Sequence, residues 1–229
     1  MKARKILVSL AALALVAAIS IGGTLAYLTS QDTVSNTFTV GNIKITLDEA
    51  LVNQDGKEGK LDENKTFQPV NDIKDADRVQ ANTYKLMPGH TYTKDPTIHV
   101  EANSENSYIF VKVENGISNL EATGDTTIAK QLEKNGWEPL MNGDKAVENV
   151  YVYTANYTQN KGKVDLKVFE SFTLADDAKT NATTTTTVDG ETVTSYDYQG
   201  VKITVTAYAV QMDGFKTAYE AWAAAKFSN

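Results

Sequence analysis

Short stretches in which apolar and polar residues alternate recur along most of the chain, and this pattern constrains the fold more than any other feature. In the first such stretch after Gly41, the side chains of Ile43, Ile45 and Leu47 share one side of an extended chain. Residues Thr97–Glu101 repeat the pattern further along. A two-residue period is typical of β-strands that bury one face and expose the other. We therefore expect a protein built mainly from β-strands.

Other segments extend this prediction to a whole domain. Ser107–Glu114 is apolar on both faces for part of its length, which predicts a central strand. Asp189-Gly190 between β-prone flanks predicts a hairpin. The other predicted strands are Asn149–Tyr157, Lys163–Phe169 and Gly200–Gln211. Seven or more strands in one chain predict an all-β fold, a jelly-roll-like two-sheet antiparallel sandwich.

Two short helices and one long loop are expected to interrupt the strands. Thr127–Asn135 has helical spacing and stops at Gly136, a residue favoured just past a helix end. Thr217 and Glu220 form a capping box that predicts a C-terminal helix over Ala218–Lys226. The polar segment Asn53–Arg78 is expected to be a surface loop.

Composition and motifs exclude several classes of function. The 229-residue chain has 22 Lys and Arg against 29 Asp and Glu, a net charge of −7, which argues against a nucleic-acid partner. It has no cysteine and only two histidines. His90 lies in a predicted turn, and His99 is expected on the solvated face of a strand. Zinc-helix, P-loop and dinucleotide motifs are absent. The sequence therefore predicts no metal, no cofactor and no enzymatic activity.

The first 26 residues resemble an export signal. Three basic residues within Met1–Lys5 precede the apolar stretch Ile6–Ile21. Thr24 and Ala26 then provide the small residues of a signal-peptidase site, so cleavage is expected before Tyr27. The alternative is a transmembrane anchor, which needs about 20 apolar residues. We predict a signal peptide over residues 1–26, with membrane contact only before cleavage.

The new N-terminus, residues 27–40, has its own strand pattern. Its apolar residues at even-numbered positions, which share one face of an extended strand, are Leu28, Val34, Phe38 and Val40. Gly41 then breaks the register and acts as a hinge before the domain predicted over residues 41–229. A terminal strand on such a hinge can pair within its own domain, or it can complete the sheet of a neighbouring copy as a donor strand. The pattern alone leaves both possibilities open.

The same region carries a family resemblance. Gly22–Thr29 resembles the signal-peptide end of exported proteins that are processed by the SipW-type signal peptidase. Asn36–Ile45 is similar to the opening of the TasA/CalY (camelysin-like) family. Met87-Pro88-Gly89 and the strand Tyr108–Glu114 are weaker similarities to the same family.

The resemblance implies a jelly-roll subunit secreted to the extracellular matrix or cell surface of a Gram-positive-type bacterium. There it would form biofilm matrix fibres head to tail, with Tyr27–Phe38 as the donor strand. The implied partners are copies of itself, accessory matrix proteins and a SipW-type signal peptidase during export. One alternative is a monomeric cell-surface binding module that uses the Asn53–Arg78 loop or the Thr183–Thr187 hairpin. A camelysin-like metalloendopeptidase is a further alternative, for which the chain has no zinc-binding motif.

Overall fold

Alternating strands account for most of the regular structure in the computed structural model, which describes residues 42–158, 162–178, 183–188, 191–196, 198 and 200–227. All the elements below lie within the unit Ile43–Asn229. The strands are β1 (Ile45–Ala50), β2 (Gly59–Leu61), β3 (Phe67–Pro69), β4 (Arg78–Val79), β5 (Thr91–Thr93), β6 (Thr97–Val100), β7 (Ser107–Asn115), β8 (Trp137–Asn142), β9 (Lys145–Tyr153), β10 (Val164–Lys167), β11 (Ser171–Thr173), β12 (Thr183–Val188), β13 (Glu191–Tyr196) and β14 (Ile203–Gln211). The helices are α1 (Ile128–Lys134), α2 (Ala218–Ala225) and a 3₁₀ turn, Ile73–Asp75.

Two four-stranded antiparallel sheets form the body of the fold. The first has the order β10-β6-β1-β4 and the second the order β14-β7-β9-β8. The smaller two-stranded pairs are β2-β3, β5-β11 and β12-β13. The predicted all-β antiparallel sandwich is confirmed, and so is the central position of the strand that starts at Ser107.

The core lies between the two sheets and follows the two-residue period. Ile98 and Val100 point inward from the first sheet, and Ile109, Val111 and Val113 point inward from the second. Each of these side chains is at most 3% exposed. Burial of this kind stabilises a fold by about 1.5–3 kcal/mol for each large apolar side chain.

Local signals place the helices and one hairpin as predicted. The Thr127 hydroxyl caps α1 by accepting a hydrogen bond from the Lys130 N–H at 3.4 Å. The Thr217 hydroxyl accepts from the Glu220 N–H at 3.1 Å, and α2 packs on the outer face of the second sheet. The predicted hairpin forms between β12 and β13, where Val188 pairs with Glu191.

Several boundaries differ from the prediction. The strand expected over Asn149–Tyr157 is β9, which begins at Lys145 and ends at Tyr153, because its first residues pair with β8 across the turn at Gly143. The expected loop over Asn53–Arg78 contains the β2-β3 pair and the 3₁₀ turn. Within the described ranges, no helix combines the length and the hydrophobicity that spanning a bilayer requires.

Candidate functional site

The residues singled out from the sequence for processing and assembly lie outside the described part of the chain. The structure therefore describes the domain that follows them, beginning at Asn42, three residues before β1. The undescribed positions are Thr24, Ala26, Tyr27, Leu28, Val34, Phe38, Val40 and Gly41.

Two strand edges lie side by side where the sheets approach each other. β14 is an edge strand, and among the described residues it pairs only with β7. β1 pairs with β6 along Ile45–Asp48, whereas β4 covers its other side only at Glu49 and Ala50. β1 and β14 are in contact with each other. Each sheet thus presents an edge without a described partner strand at the same margin of the sandwich.

The hydrogen bonds of β14 show which of its backbone groups face this margin. The Met212 N–H donates to the Asn106 carbonyl at 2.9 Å, and the Gly116 N–H donates to the Lys202 carbonyl at 3.0 Å. In an antiparallel ladder successive residues alternate between facing the partner strand and facing away from it. Even-numbered residues of β14 therefore face β7, and odd-numbered ones such as Val205 direct their N–H and C=O groups to the open edge.

The same alternation holds for β1. The Glu101 N–H donates to the Lys44 carbonyl at 2.9 Å, so even-numbered residues of β1 face β6. The backbone groups of Ile45 and Leu47 are consequently directed away from β6, towards the open side. Unpaired edges of this kind readily pair with another strand.

A groove of about 380 Å³ runs between the two edges. Ile45, Leu47, Val205 and Ala207 supply its apolar surface, and all four are only partly buried although they pack against the main core. The polar lining residues are Thr46, Gln80 and Thr206. The groove therefore combines a partly exposed apolar floor with backbone groups on both sides that pair with no described strand, which is what an added β-strand requires.

A second cavity of about 510 Å³ adjoins the beginning of the same strand, β14. Its apolar wall includes Ile203, Tyr84 and Phe172, and the two aromatic rings meet edge to face at 5.3 Å. Its cationic lining residues are Lys85, Lys94 and Lys202. Lys94 forms an ion pair with the buried Glu49, whereas Lys85 and Lys202 are exposed.

His99 is held between two carboxylates rather than exposed on a solvated strand face. Its Nδ1 lies 2.6 Å from Asp165 Oδ1 and its Nε2 lies 3.0 Å from Asp48 Oδ1, and its side chain is 15% exposed. Burial alone would lower the pKa of His99, but the hydrogen bonds to Asp165 and Asp48 outweigh that effect and raise the pKa. Both ring nitrogens contact carboxylates, so this imidazole ties β1, β6 and β10 together and has no nitrogen directed at a serine.

Arg78 fixes the extent of the open edge. Its Nε lies 2.7 Å from Asp48 Oδ1 and its Nη1 lies 2.7 Å from Asp95 Oδ2. Asp95 Oδ1 accepts a hydrogen bond from the Ala50 N–H at 2.7 Å. This arrangement holds β4 against the last two residues of β1 and leaves the preceding residues uncovered.

The remaining polar candidates have local structural roles. His90 lies in the predicted turn, where its N–H donates to the Met87 carbonyl at 3.3 Å. Asp72 accepts from the Lys74 N–H at 3.1 Å, and Asp77 accepts from the Leu61 N–H at 2.7 Å. Within the part of the chain that the structure describes, no group of three or more His, Cys, Asp or Glu side chains could hold a metal ion.

Sequence reasoning did not find the groove. The alternation of Ile43, Ile45 and Leu47 predicted that they share one side of their strand, and Ile45 and Leu47 do pack against the main core, but only the strand order puts β1 and β14 at one margin. Comparison with models of protein families, with curated proteins and with solved structures found no match to this chain.

Proposed function

We propose that this protein is a secreted structural subunit of extracellular biofilm matrix fibres. In this proposal residues 27–40, freed by signal cleavage, insert as a donor strand into the groove between β1 and β14 of the next copy. The observation that carries the proposal is the groove itself, with an apolar floor and, on each side, an edge that has no partner strand among the described residues. The signal-like residues 1–26 support export, and the proposed destination is the extracellular matrix or cell surface of a Gram-positive-type bacterium.

The chemistry of the donor segment matches the groove. Leu28, Val34 and Phe38 have equal parity, so an extended segment can direct all three to the same face of the sheet as Val205 and Ala207. Their burial would contribute about 1.5–3 kcal/mol each. The segment is longer than the nine residues of β14, so it can pair with the whole edge. Pairing would also satisfy the outward N–H and C=O groups of the odd-numbered residues.

The geometry of such a contact favours a filament. The donor segment and the groove are different surfaces, so one copy can donate at one end and accept at the other. A head-to-tail contact of this kind produces an open chain when its rotation does not close into a ring. Copies of the same chain are therefore the main proposed partner.

A monomeric cell-surface binding module is the second candidate. Asn42 precedes β1 by only three residues, and β1 borders the groove. A tight turn after residue 40 would therefore let the same segment fill the groove of its own chain. In that case the groove is closed in every copy and no fibre forms.

The experiment compares four purified forms by electron microscopy and light scattering: the chain from Tyr27, the chain from Gly41, and Val205→Lys and Ala146→Lys in the chain from Tyr27. The chain from Gly41 lacks the donor strand, so it can only accept one in its groove. The Val205→Lys variant has a charge in the groove, so it can only donate its strand. Ala146 is exposed on β9, so its variant controls for the added charge.

We expect filaments from the chain starting at Tyr27 and from Ala146→Lys. We expect no filaments from the other two forms alone, and shortened filaments when either is mixed with the first. Monodisperse monomers of all four forms would refute the fibre proposal and support the binding module.

A further inference from the structure

We propose a carbohydrate-binding cleft on the outer face of the second sheet, away from the groove. The cleft has a volume of about 390 Å³ and lies between the C-terminal end of α2 and the strands β7, β9 and β14. The ligand class is an uncharged polysaccharide or oligosaccharide chain. This inference is independent of the proposed fibre function.

Three aromatic side chains form one wall of the cleft. The ring of Phe227 lies 4.4 Å from that of Tyr208 and 5.0 Å from that of Trp222, and the rings of Tyr208 and Trp222 meet edge to face at 5.2 Å. Lys226 adopts a left-handed conformation at the end of α2, after which Phe227 folds back onto the sheet. All three aromatic residues are only partly buried.

The spacing of the rings selects among ligands that bind aromatic surfaces. The three rings are in mutual contact and form a continuous wall. A methylated ammonium group is enclosed by rings that are set apart around the cation, so this arrangement disfavours it as the ligand. The C–H faces of a sugar ring can stack on such a wall. Tyr and Trp suit this role because they present a large apolar surface at the boundary with water.

The opposite side of the cleft supplies hydrogen-bonding groups. Met141 pairs with Ala146 whereas Pro139 pairs with Tyr151, so the intervening part of β9 bulges out of the ladder. Asn149, in this bulge, has a φ of 59°, and with Glu148 it lines the cleft. Neither side chain makes a hydrogen bond to another described residue, and both are exposed. A carboxylate and an amide are well suited to bind sugar hydroxyls.

The charge and the shape of the cleft narrow the class of ligand further. The cleft contains Glu114 and Glu148 against one cation, Lys112, which lies 3.6 Å from Glu114. This excess of negative charge disfavours phosphates and acidic polymers. A larger cavity of about 820 Å³ shares Glu114 and Asn149 with the cleft and continues towards α1, so a chain of several sugars has room to extend.

A peptide fits this place less well. The cleft lies over the faces of β7 and β9, which both have partner strands on each side, and β14 contributes only Tyr208, an even-numbered residue whose backbone groups face β7. A peptide backbone therefore finds no open edge there to pair with. Sugar hydroxyls need only the side-chain groups that the cleft already presents.

Affinity electrophoresis of the purified protein tests the proposal. Native gels contain hydroxyethyl cellulose, galactomannan or dextran as uncharged probes, and polygalacturonate as the acidic comparison. We expect at least one uncharged polymer to retard the protein and polygalacturonate to leave it unaffected. Replacing Trp222 with alanine should weaken binding about tenfold, which corresponds to about 1.4 kcal/mol.

A second variant separates ligand contact from folding. Asn149→Gly keeps the positive φ without strain and removes the amide, so it should weaken binding about fivefold at an unchanged melting temperature. Asn156→Gly is the matched control, because Asn156 also has a positive φ, 41°, and does not line the cleft. Retardation by none of the uncharged polymers, or equal binding by the two glycine variants, would overturn the proposal.

Discussion

Replacing Arg78 with methionine should destabilise the fold far more than removing an ordinary surface charge. The Arg78 side chain is 31% exposed, and its guanidinium is the cation that pairs with Asp95, whose side chain is only 4% exposed. Methionine keeps much of the apolar stem but leaves the Asp95 carboxylate without its charged partner. Breaking a buried ion pair in this way costs about 3–5 kcal/mol in the free energy of unfolding.

Urea unfolding of the parent, Arg78→Met and Lys130→Met measures this difference. Lys130 pairs with Glu133 at 2.9 Å, but the side chains are 58% and 70% exposed, so its loss should cost less than about 1 kcal/mol. For a chain of this size the Arg78 variant should melt about 10 °C lower. Equal free energies for the two variants would refute the argument that Arg78 holds β4 in place.

The effect of Arg78→Met should also depend on pH. The pKa of Asp48 lies below its ordinary value, because the hydrogen bonds from His99 and Arg78 outweigh the opposing effect of burial. A carboxylate with a lowered pKa in the folded state contributes stability that is complete above its unfolded pKa and is lost as the pH falls through the folded value. The difference in free energy of unfolding between the parent and Arg78→Met should therefore narrow below about pH 4. A gap that stays constant into that range would contradict the pairing of Asp48 with Arg78.

Three further predictions follow from other contacts. His99→Gln should flatten the pH dependence of stability. The raised pKa of His99 in the folded parent contributes stability that is complete below the unfolded pKa and is lost as the pH rises through the folded pKa. Urea titrations at about pH 5 and about pH 9 would detect this loss in the parent. Profiles of stability against pH that run parallel for the parent and His99→Gln would contradict this prediction. Leu132→Ala should cost about 2–5 kcal/mol in urea unfolding, because the side chain is 1% exposed in the core; a cost below about 1 kcal/mol would mean that α1 is not packed as described. Thr217→Ala should cost about 0.5–2 kcal/mol in thermal unfolding by loss of the cap on α2, and no change would exclude that cap.

Local patterns predicted those parts of the fold that depend on neighbouring residues. The strand from Ser107, the pairing of β12 with β13 and the helix cap at Thr217 all depend on short-range spacing, and the structure contains each of them. The strand expected over Asn149–Tyr157 was misplaced by four residues at each end. Asn149 interrupts the extended backbone there with a positive φ, which a residue type alone does not disclose.

The candidate sites depend on contacts between distant parts of the chain. His99 meets Asp48 and Asp165, which are 51 and 66 residues away. The groove exists because β1 and β14 come together at one margin. Alternation identifies the inward side chains of a strand, but it carries no information about which strand lacks a neighbour.

Cysteine cross-linking between two preparations measures whether residues 27–40 of one copy insert into the groove of another, because the chain itself contains no cysteine. One preparation of the chain from Tyr27 carries Val34→Cys, and the other, with a different tag, carries a single cysteine at Ile203, Val205 or Ala207. A disulfide requires Cβ atoms about 4 Å apart, so only a donor strand seated in the groove can place them for rapid oxidation. We expect a mixed-tag disulfide for at least one of the three groove positions. A third preparation carries both cysteines in the same molecule. Disulfides that form only within this one chain, and never between the two tagged preparations, would contradict donor-strand insertion between copies.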